Sequence, residues 1–360
     1  MLHDLSIKNF RCFQDFQIDD LARVNLIVGK NNSGKTCFLE AIYLLTNGGW
    51  LHYMTDMLDR REEYASSASF RDKSGLFYDI TNIFYGREPF ISNKFVELSS
   101  SSESVLNLSV ALRSEFQKQA QLPLFDTDLS SDDINRALYY LVISNHYPPT
   151  GESIYVDDQG IMQAPSYRNR LAYSRKASCL FISPKGLSLG KLSSLWDDIR
   201  LTSKEDKVIK SLKILEPDIS GIHFSSASSS NSISVLFKGQ KVPIGTLGEG
   251  VQRILTLAIH AVSVENGFLL VDDIDTGLYH GAQLDMWRWI MQVAKELNIQ
   301  VFATTHSWDC VAAFQEALEE IGDPAYGRLL RMERRDNGTQ PVEYSARELA
   351  IAVDHGIEVR

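Results

Sequence analysis

Apolar and polar positions alternate from the first residues. Leu5, Ile7, Phe10, Phe13, Phe16 and Ile18 fall at strand spacing, interrupted near Asn9 and Gln14-Asp15, which predicts two strands or a bent hairpin over residues 2–18. A short apolar strand, Val24-Asn25-Leu26-Ile27-Val28, follows. After a glycine-bearing turn, the run Cys37-Phe38-Leu39-Glu40-Ala41-Ile42-Tyr43-Leu44-Leu45 has helical periodicity, and Asn47-Gly48-Gly49 stops it.

The pattern changes over residues 50–180. Residues 50–84 mix helical spacing with the small-residue break Ala65-Ser66-Ser67-Ala68-Ser69. Residues 94–98 and 104–112 alternate like strands and are joined by the serines at 99–102. An acidic, turn-rich stretch from Pro123 to Asp133 precedes residues 134–144, and Pro148-Pro149-Thr150-Gly151 breaks the chain again. Leu180-Phe181-Ile182-Ser183-Pro184 then reads as a buried strand rejoining the main sheet. Residues 192–215 are amphipathic, with capping-box spacing at Thr202-Ser203-Lys204-Glu205 and an end at Pro217. Residues 219–225 and 233–237 suit a hairpin, residues 254–264 an apolar helix, and 267–271 and 299–305 two further apolar strands. The expected organisation is α/β: a mixed sheet flanked by helices from residues 1–50 and 180–360, with an α+β insertion over 51–179.

Length and composition agree with a globular chain. The 360 residues are 44% hydrophobic and 23% charged, enough for a sizeable core in one large domain or two. No apolar run approaches the roughly 20 residues that cross a bilayer, and the N-terminus lacks a signal-peptide pattern, so a cytoplasmic protein without membrane contact is expected. Cys12, Cys37, Cys179 and Cys310 are dispersed without zinc-type spacing and read as reduced, with Cys37 in a packing role. A net charge of −10 argues against a broad nucleic-acid-binding surface, leaving only local basic patches to consider.

The chemistry begins after the strand ending at Val28. Gly29-Lys30-Asn31-Asn32-Ser33-Gly34-Lys35-Thr36 is a complete G-x-x-x-x-G-K-[ST] phosphate loop in the strand–loop–helix context that motif requires. Backbone N–H groups and the helix N-terminus would face phosphate, Lys35 would reach the β- and γ-phosphates, and the Thr36 hydroxyl would sit on Mg²⁺. The strand Gly267-Phe268-Leu269-Leu270-Val271 ends in Asp272-Asp273. At the carboxyl edge of a parallel sheet, Asp272 would hold Mg²⁺ and Asp273 would polarise the attacking water of an ATP. A third strand ends in His306, placed to sense the γ-phosphate. Gly245-Thr246-Leu247-Gly248-Glu249-Gly250 opens the helix at 254–264 as a second anion site, which one nucleotide does not need. It is expected to serve a nucleotide held by another subunit.

The order of phosphate loop, Thr-Leu-Gly-Glu-Gly, Leu-Leu-Val-Asp-Asp and Thr-Thr-His-Ser resembles the ABC-type P-loop ATPases of the SMC/RecF/OLD group, most closely the small OLD-like ATPases of anti-phage defence. Phe10-Arg11-Cys12-Phe13, Asn25, Leu39-Glu40-Ala41, Ile274-Asp275-Thr276-Gly277-Leu278 and Ile357-Glu358-Val359-Arg360 share in the likeness, which covers about residues 1–50 and 180–320 plus that terminus. The resemblance implies ATP and Mg²⁺ as cofactors, catalytic roles for Lys35, Asp273 and His306, and a head-to-tail homodimer or higher oligomer. Thr246, Gly248, Glu249 and Gly250 would meet the partner's γ-phosphate, and the loop from Asp275 to Leu278 would link the two sites. Leu247 stands in a slot that is small in the group, and no glutamine loop is assigned.

Relatives in that group carry Glu where this chain has Asp273. The carboxylate then stands about 1.5 Å further back, a misplacement that can cost about a hundredfold in rate, so slow hydrolysis is expected. Residues 307–360 are too short for the Toprim nuclease domain of larger OLD proteins, which implies a separate effector such as a Toprim nuclease. Two other readings stand beside this one. A RecF-like DNA clamp would use Lys204, Lys207, Lys210 and Lys213 or Arg328, Arg331, Arg334 and Arg335; a non-hydrolysing scaffold would use nucleotide only to hold an oligomer.

Overall fold

A computed structural model describes residues 1–49, 51–65, 76–90, 95–112, 139–145, 151–163, 179–186, 189–227, 230–335 and 338–360. The segments at 66–69, 123–133 and 148–150, expected above to be breaks and loops, lie outside the described residues.

Six strands form the central sheet, in the order β10 (Cys179–Ile182), β14 (Phe268–Val271), β15 (Gln300–Thr304), β3 (Val24–Val28), β16 (Gly327–Arg335) and β17 (Gly338–Tyr344). All neighbours are parallel except the last pair. Strands β3, β14 and β15 are buried at every position, as expected where both sheet faces are covered. Their two-residue period divides them between two cores. Leu26, Leu269, Val271, Val301 and Leu329 pack to one side; Ile27, Phe268, Leu270, Phe302 and Leu330 pack to the other.

The first core is closed by helices α3 (Leu189–Ile199), α4 (Ser203–Leu212), α5 (Glu249–Ser263), α6 (His280–Glu296), α7 (Trp308–Ile321) and α8 (Ala346–Asp354), and by the small antiparallel sheet of β11 (Ile219–Ala227), β12 (Ser230–Phe237) and β13 (Gln240–Pro243). Over the second core lie α1 (Lys35–Thr46), α2 (Leu51–Arg60) and an eight-stranded antiparallel sheet ordered β2-β1-β5-β6-β7-β8-β9-β4. In that sheet the hairpin β1 (Leu5–Phe10) and β2 (Phe13–Ile18) is continued by β5 (Phe95–Ser100), β6 (Glu103–Leu112), β7 (Tyr139–Asn145), β8 (Gly151–Val156), β9 (Ile161–Gln163) and β4 (Phe77–Asp79). Strands of the 51–179 segment thus pair directly with the N-terminal hairpin and share its core through Leu98, Leu106 and Leu108.

The mixed α/β sheet expected from the pattern is present. Two local expectations differ. The amphipathic stretch at 192–215 is two helices, because the chain turns at Arg200-Leu201-Thr202, and the second ends at Leu212, ahead of Pro217. Thr202 does cap α4, accepting from Lys204 N at 3.2 Å, but the Glu205 carboxylate takes the N–H of Leu201 instead of closing a reciprocal box. A true capping box lies at α8, between Ser345 and Glu348.

Asn25 is a polar residue at the centre of the sheet, fully buried. Its side-chain oxygen accepts from Ala22 N at 2.9 Å and its amide donates to Ala22 O at 2.7 Å, closing the turn that feeds the phosphate-loop strand. Asn25→Ala leaves the Ala22 N–H without its partner, while Ala22 O keeps the Gln300 amide at 2.7 Å, and a loss of about 1–3 kcal/mol is expected, read from the urea denaturation midpoint.

Candidate nucleotide site

The phosphate loop leaves β3 between β15 and β16, at the carboxyl edge of the parallel strands. Both motif glycines are required by space. Gly29 has φ +142, and a Cβ there would lie 2.6 Å from Met332 O; Gly34 has φ +99, with Cys12 Sγ 2.9 Å from its Cβ position. The hairpin turn at Arg11-Cys12 therefore presses against the loop from behind. Lys30, Asn31 and Asn32 are exposed, whereas Ser33 and Lys35 are buried. The Lys35 ammonium lies against its own loop, donating to Gly29 O at 2.8 Å and Lys30 O at 3.0 Å. Burial pulls its pKa below the ordinary value, opposed by the carboxylates of Asp273 and Asp272.

Opposite the loop, the ends of β14 and β15 are laced by threonine hydroxyls. Asp272 accepts from Thr36 Oγ1 at 2.9 Å on one oxygen and from Thr304 Oγ1 at 2.6 Å on the other. Thr304 in turn accepts from Asp273 N at 2.8 Å, and Thr305 donates to Asp275 at 2.5 Å. Asp273 takes a left-handed conformation, φ 46, which swings its carboxylate into the cavity with Oδ1 3.9 Å from His306 Nε2. Burial and the charge of Asp272 raise the Asp273 pKa, with His306 and Lys35 opposing.

These residues enclose a cavity of about 340 Å³ lined by residues 31–37 together with Cys12, Arg61, Asp272, Asp273 and His306. Its donors suit a nucleotide and a hard cation. The buried Ser33 hydroxyl has no hydrogen-bond partner among the described residues, and Thr36 with Asp272 offers a hydroxyl–carboxylate oxygen pair. A cation at Thr36 and Asp272 would take further oxygens from phosphate and water, as Mg²⁺ does.

Residues 246–250 do not line this cavity. Thr246, Gly248 and Glu249 are exposed at the N-terminus of α5, where Thr246 Oγ1 donates to Pro243 O. Gly250 packs on the carbonyl of Gly277, only 3.0 Å from its Cβ position, so this turn rests on the loop that begins at Asp275.

Three sets of contacts at the site have no local mark in the sequence. Arg253, one turn into α5, donates to Asp272 O at 2.9 Å, Asp273 O at 2.8 Å and Ser183 O at 3.1 Å, pinning the backbone that carries both carboxylates. Behind the loop, the nearly buried Arg11 pairs with Glu40 at 3.2 Å and Glu63 at 2.6 Å, and Arg61 pairs with Glu40 at 2.6 Å. The quoted Phe-Arg-Cys-Phe and Leu-Glu-Ala stretches contained that contact, but their pairing spans the fold. Arg360, clasped by Glu358, donates to His306 O at 2.9 Å, which gives the C-terminal stretch a place beside the histidine. Cys37 is half-buried, accepts from Arg61 Nη2 at 3.4 Å and lines the cavity.

The basic patches are largely engaged. Lys204 pairs with Glu265 at 2.9 Å and Lys207 with Glu296, while Arg328 pairs with Glu343, and Arg331 and Arg335 with Glu333. Cations already neutralised by carboxylates release fewer counterions on meeting DNA.

Removing the clamp tests its role. Arg253→Ala removes the guanidinium from three carbonyls, of which Ser183 O and Asp273 O keep the N–H groups of Gly186 and Thr276, and loosens the Asp272-Asp273 backbone; steady-state ATP hydrolysis should fall about 10- to 100-fold while ATP affinity in equilibrium titration stays near that of the parent.

The family described as "AAA ATPase domain" matches residues 1–136 and 189–311. Over 375 aligned residues, covering 97% of each chain, this chain is 22% identical to an "ATP/GTP phosphatase" of Helicobacter pylori. It is 41% identical to the DNA replication and repair protein RecF of Streptococcus agalactiae over 44 residues, 12% of either chain. Among solved structures, an Smc head domain from Pyrococcus furiosus, bound to the C-terminal domain of ScpA, overlays with a TM-score of 0.49 at 13% identity, covering 99% of both chains. With the phosphate loop, the Asp-Asp strand and α5 all inside the matched residues, the chain belongs to the AAA ATPase domain family.

Proposed function

We propose that the chain is a slow ATP hydrolase of the SMC/RecF/OLD type, built from residues 1–50 and 180–360 with 51–179 as its insertion, which closes head-to-tail with a second copy when ATP binds. The observation that carries this reading is the separation of two anion-binding turns. Residues 29–36 have a cavity, two carboxylates and a histidine around them, whereas Thr246, Gly248 and Glu249 lie exposed outside that cavity, at a helix N-terminus. A second protomer's nucleotide would supply the missing ligand.

Within a protomer the roles follow from position. Lys35 moves from its loop carbonyls onto the β- and γ-phosphates. Thr36 and Asp272 would hold Mg²⁺, which would neutralise phosphate charge there. Asp273 takes the proton of the attacking water, with its raised pKa favouring proton uptake, and His306 marks the γ-phosphate. Asp275, fixed by Thr305, couples this edge to the turn at Gly250 through the Gly277 contact. The short Asp273 side chain makes bound ATP long-lived, so the closed dimer acts as a timer. Its output is a separate effector protein, of nuclease type by the resemblance to OLD-like defence ATPases. Full-length similarity to a protein described as an ATP/GTP phosphatase supports nucleotide hydrolysis. A DNA clamp is less favoured, because five of the eight candidate cations, Lys204, Lys207, Arg328, Arg331 and Arg335, are paired with carboxylates. Among the described residues no helix is long and apolar enough to cross a membrane.

Two measurements test the proposal. Asp273→Glu should raise the single-turnover hydrolysis rate about tenfold or more; equal rates for the two proteins would remove the timer. Lys35→Ala and Gly248→Asp proteins, each inactive alone, should recover about one quarter of parental ATPase activity when mixed at equal concentration, because half of the pairs are mixed and each holds one intact composite site. No recovery on mixing would rule out a site shared across the dimer.

A further inference from the structure

A second cavity, of about 520 Å³, opens beside the edge strand β10 and shares no lining residue with the nucleotide site. It lies between α1 and α2 on one side and α3 and α5 on the other, and its walls are aromatic. Tyr43 meets Tyr53 edge-on at 5.5 Å and Phe181 at 6.1 Å, and His52 leans on Tyr53 at 3.9 Å. Arg60 is wedged against the rings of Tyr43 and Phe181, 4.5 Å from each centroid, with Nη2 spent on Asp56.

Two polar atoms in this apolar setting lack partners. Arg60 Nη1 and His260 Nε2 are both buried, with no hydrogen-bond partner among the described residues. The state of His260 follows from its surroundings. Its Nδ1 lies 2.6 Å from Thr256 O, a carbonyl that can only accept, so Nδ1 carries the hydrogen. Burial pulls the ring pKa down to about 4, which keeps it neutral, so Nε2 is a bare acceptor. The cavity therefore holds one buried donor and one buried acceptor, each costing about 1–3 kcal/mol while unpaired. Its charged lining is three carboxylates, Asp56, Asp59 and Asp198, against two cations, Arg60 and Lys191. That balance disfavours a phosphate-bearing ligand, and Asp198 can accept sugar hydroxyls.

We propose that this cavity binds a nucleoside, with the planar base set among the aromatic rings and its hydrogen-bonding edge meeting His260 Nε2 and Arg60 Nη1. A rigid heterocycle carrying N–H and acceptor groups along its edge offers the kind of partner each atom lacks, and a nucleoside falls within the size such cavities accept. The occupant would touch two helices that matter. Tyr43 is about two turns along α1 from Lys35, and His260 about three turns along α5 from Glu249.

The test is isothermal titration of adenosine, guanosine, cytidine and uridine into the full chain saturated with a non-hydrolysable ATP analogue. At least one should bind with a Kd below about 1 mM. That binding should persist in Lys35→Ala protein without the analogue, and weaken about tenfold or more in His260→Leu. Should His260→Leu not fold, Ser194→Trp, at an exposed position on the cavity wall, should block binding with an unchanged circular dichroism spectrum. The proposal is overturned if no nucleoside binds, if binding requires Lys35, or if the folded variants bind like the parent.

Discussion

The buried carboxylate of Asp272 is the tie on which the nucleotide site depends. One of its oxygens takes the Thr36 hydroxyl at the start of α1 and the other takes the Thr304 hydroxyl at the end of β15. Three elements far apart in sequence are thereby fixed to one group, and the same two threonines orient what surrounds it. Thr304 holds the N–H of Asp273, and Thr36 is the hydroxyl that the phosphate-loop motif assigns to the metal. A carboxylate that must be bound on both oxygens in a buried site tolerates little displacement.

That constraint is shared by what lies behind it. Arg253 holds the carbonyls of Asp272 and Asp273 from the α5 side, so the helix that begins at the Thr246–Gly250 turn also positions the chain's own carboxylates. On the opposite side, the Arg11–Glu40–Arg61–Glu63 cluster joins the N-terminal hairpin, α1 and the end of α2. A buried network of this kind is costly unless every member is paired, and pairing requires all of these elements in register. Motion of the hairpin or of α5 is therefore felt at the phosphate loop.

The 51–179 segment gives the ATPase unit a broad second face. Its strands extend the β1–β2 hairpin into an eight-stranded sheet that covers α1, and Leu106 crowds Gly49 just beyond that helix. Burial of α1 between the central sheet and this second sheet explains why its apolar residues run nearly all around, with Phe38, Leu39, Ile42 and Leu44 fully buried.

Much of this was legible in the sequence because the signals are local. Strand β3, the phosphate loop, α1, the Asp-Asp strand and the strand before His306 each announce themselves by a run of apolar residues ending in a group whose chemistry depends on immediate neighbours. Glycines 29 and 34 could be expected from the motif, yet the reason they cannot carry a Cβ, the carbonyl of Met332 and the thiol of Cys12, comes from chain hundreds of residues away or across a hairpin. Pairings set by distant segments had no local mark. Arg253 stands just ahead of the apolar helix at 254–264, Arg11 and Glu40 belong to separate motifs, and none of them shows its partner in the sequence. The amino-acid order by itself determined that a complete phosphate-loop motif follows a buried strand and that the fold is α/β. Only the tertiary structure decided which buried charges find partners and which polar atoms are left without one, because hydrogen bonding in a core is settled by which segments pack together.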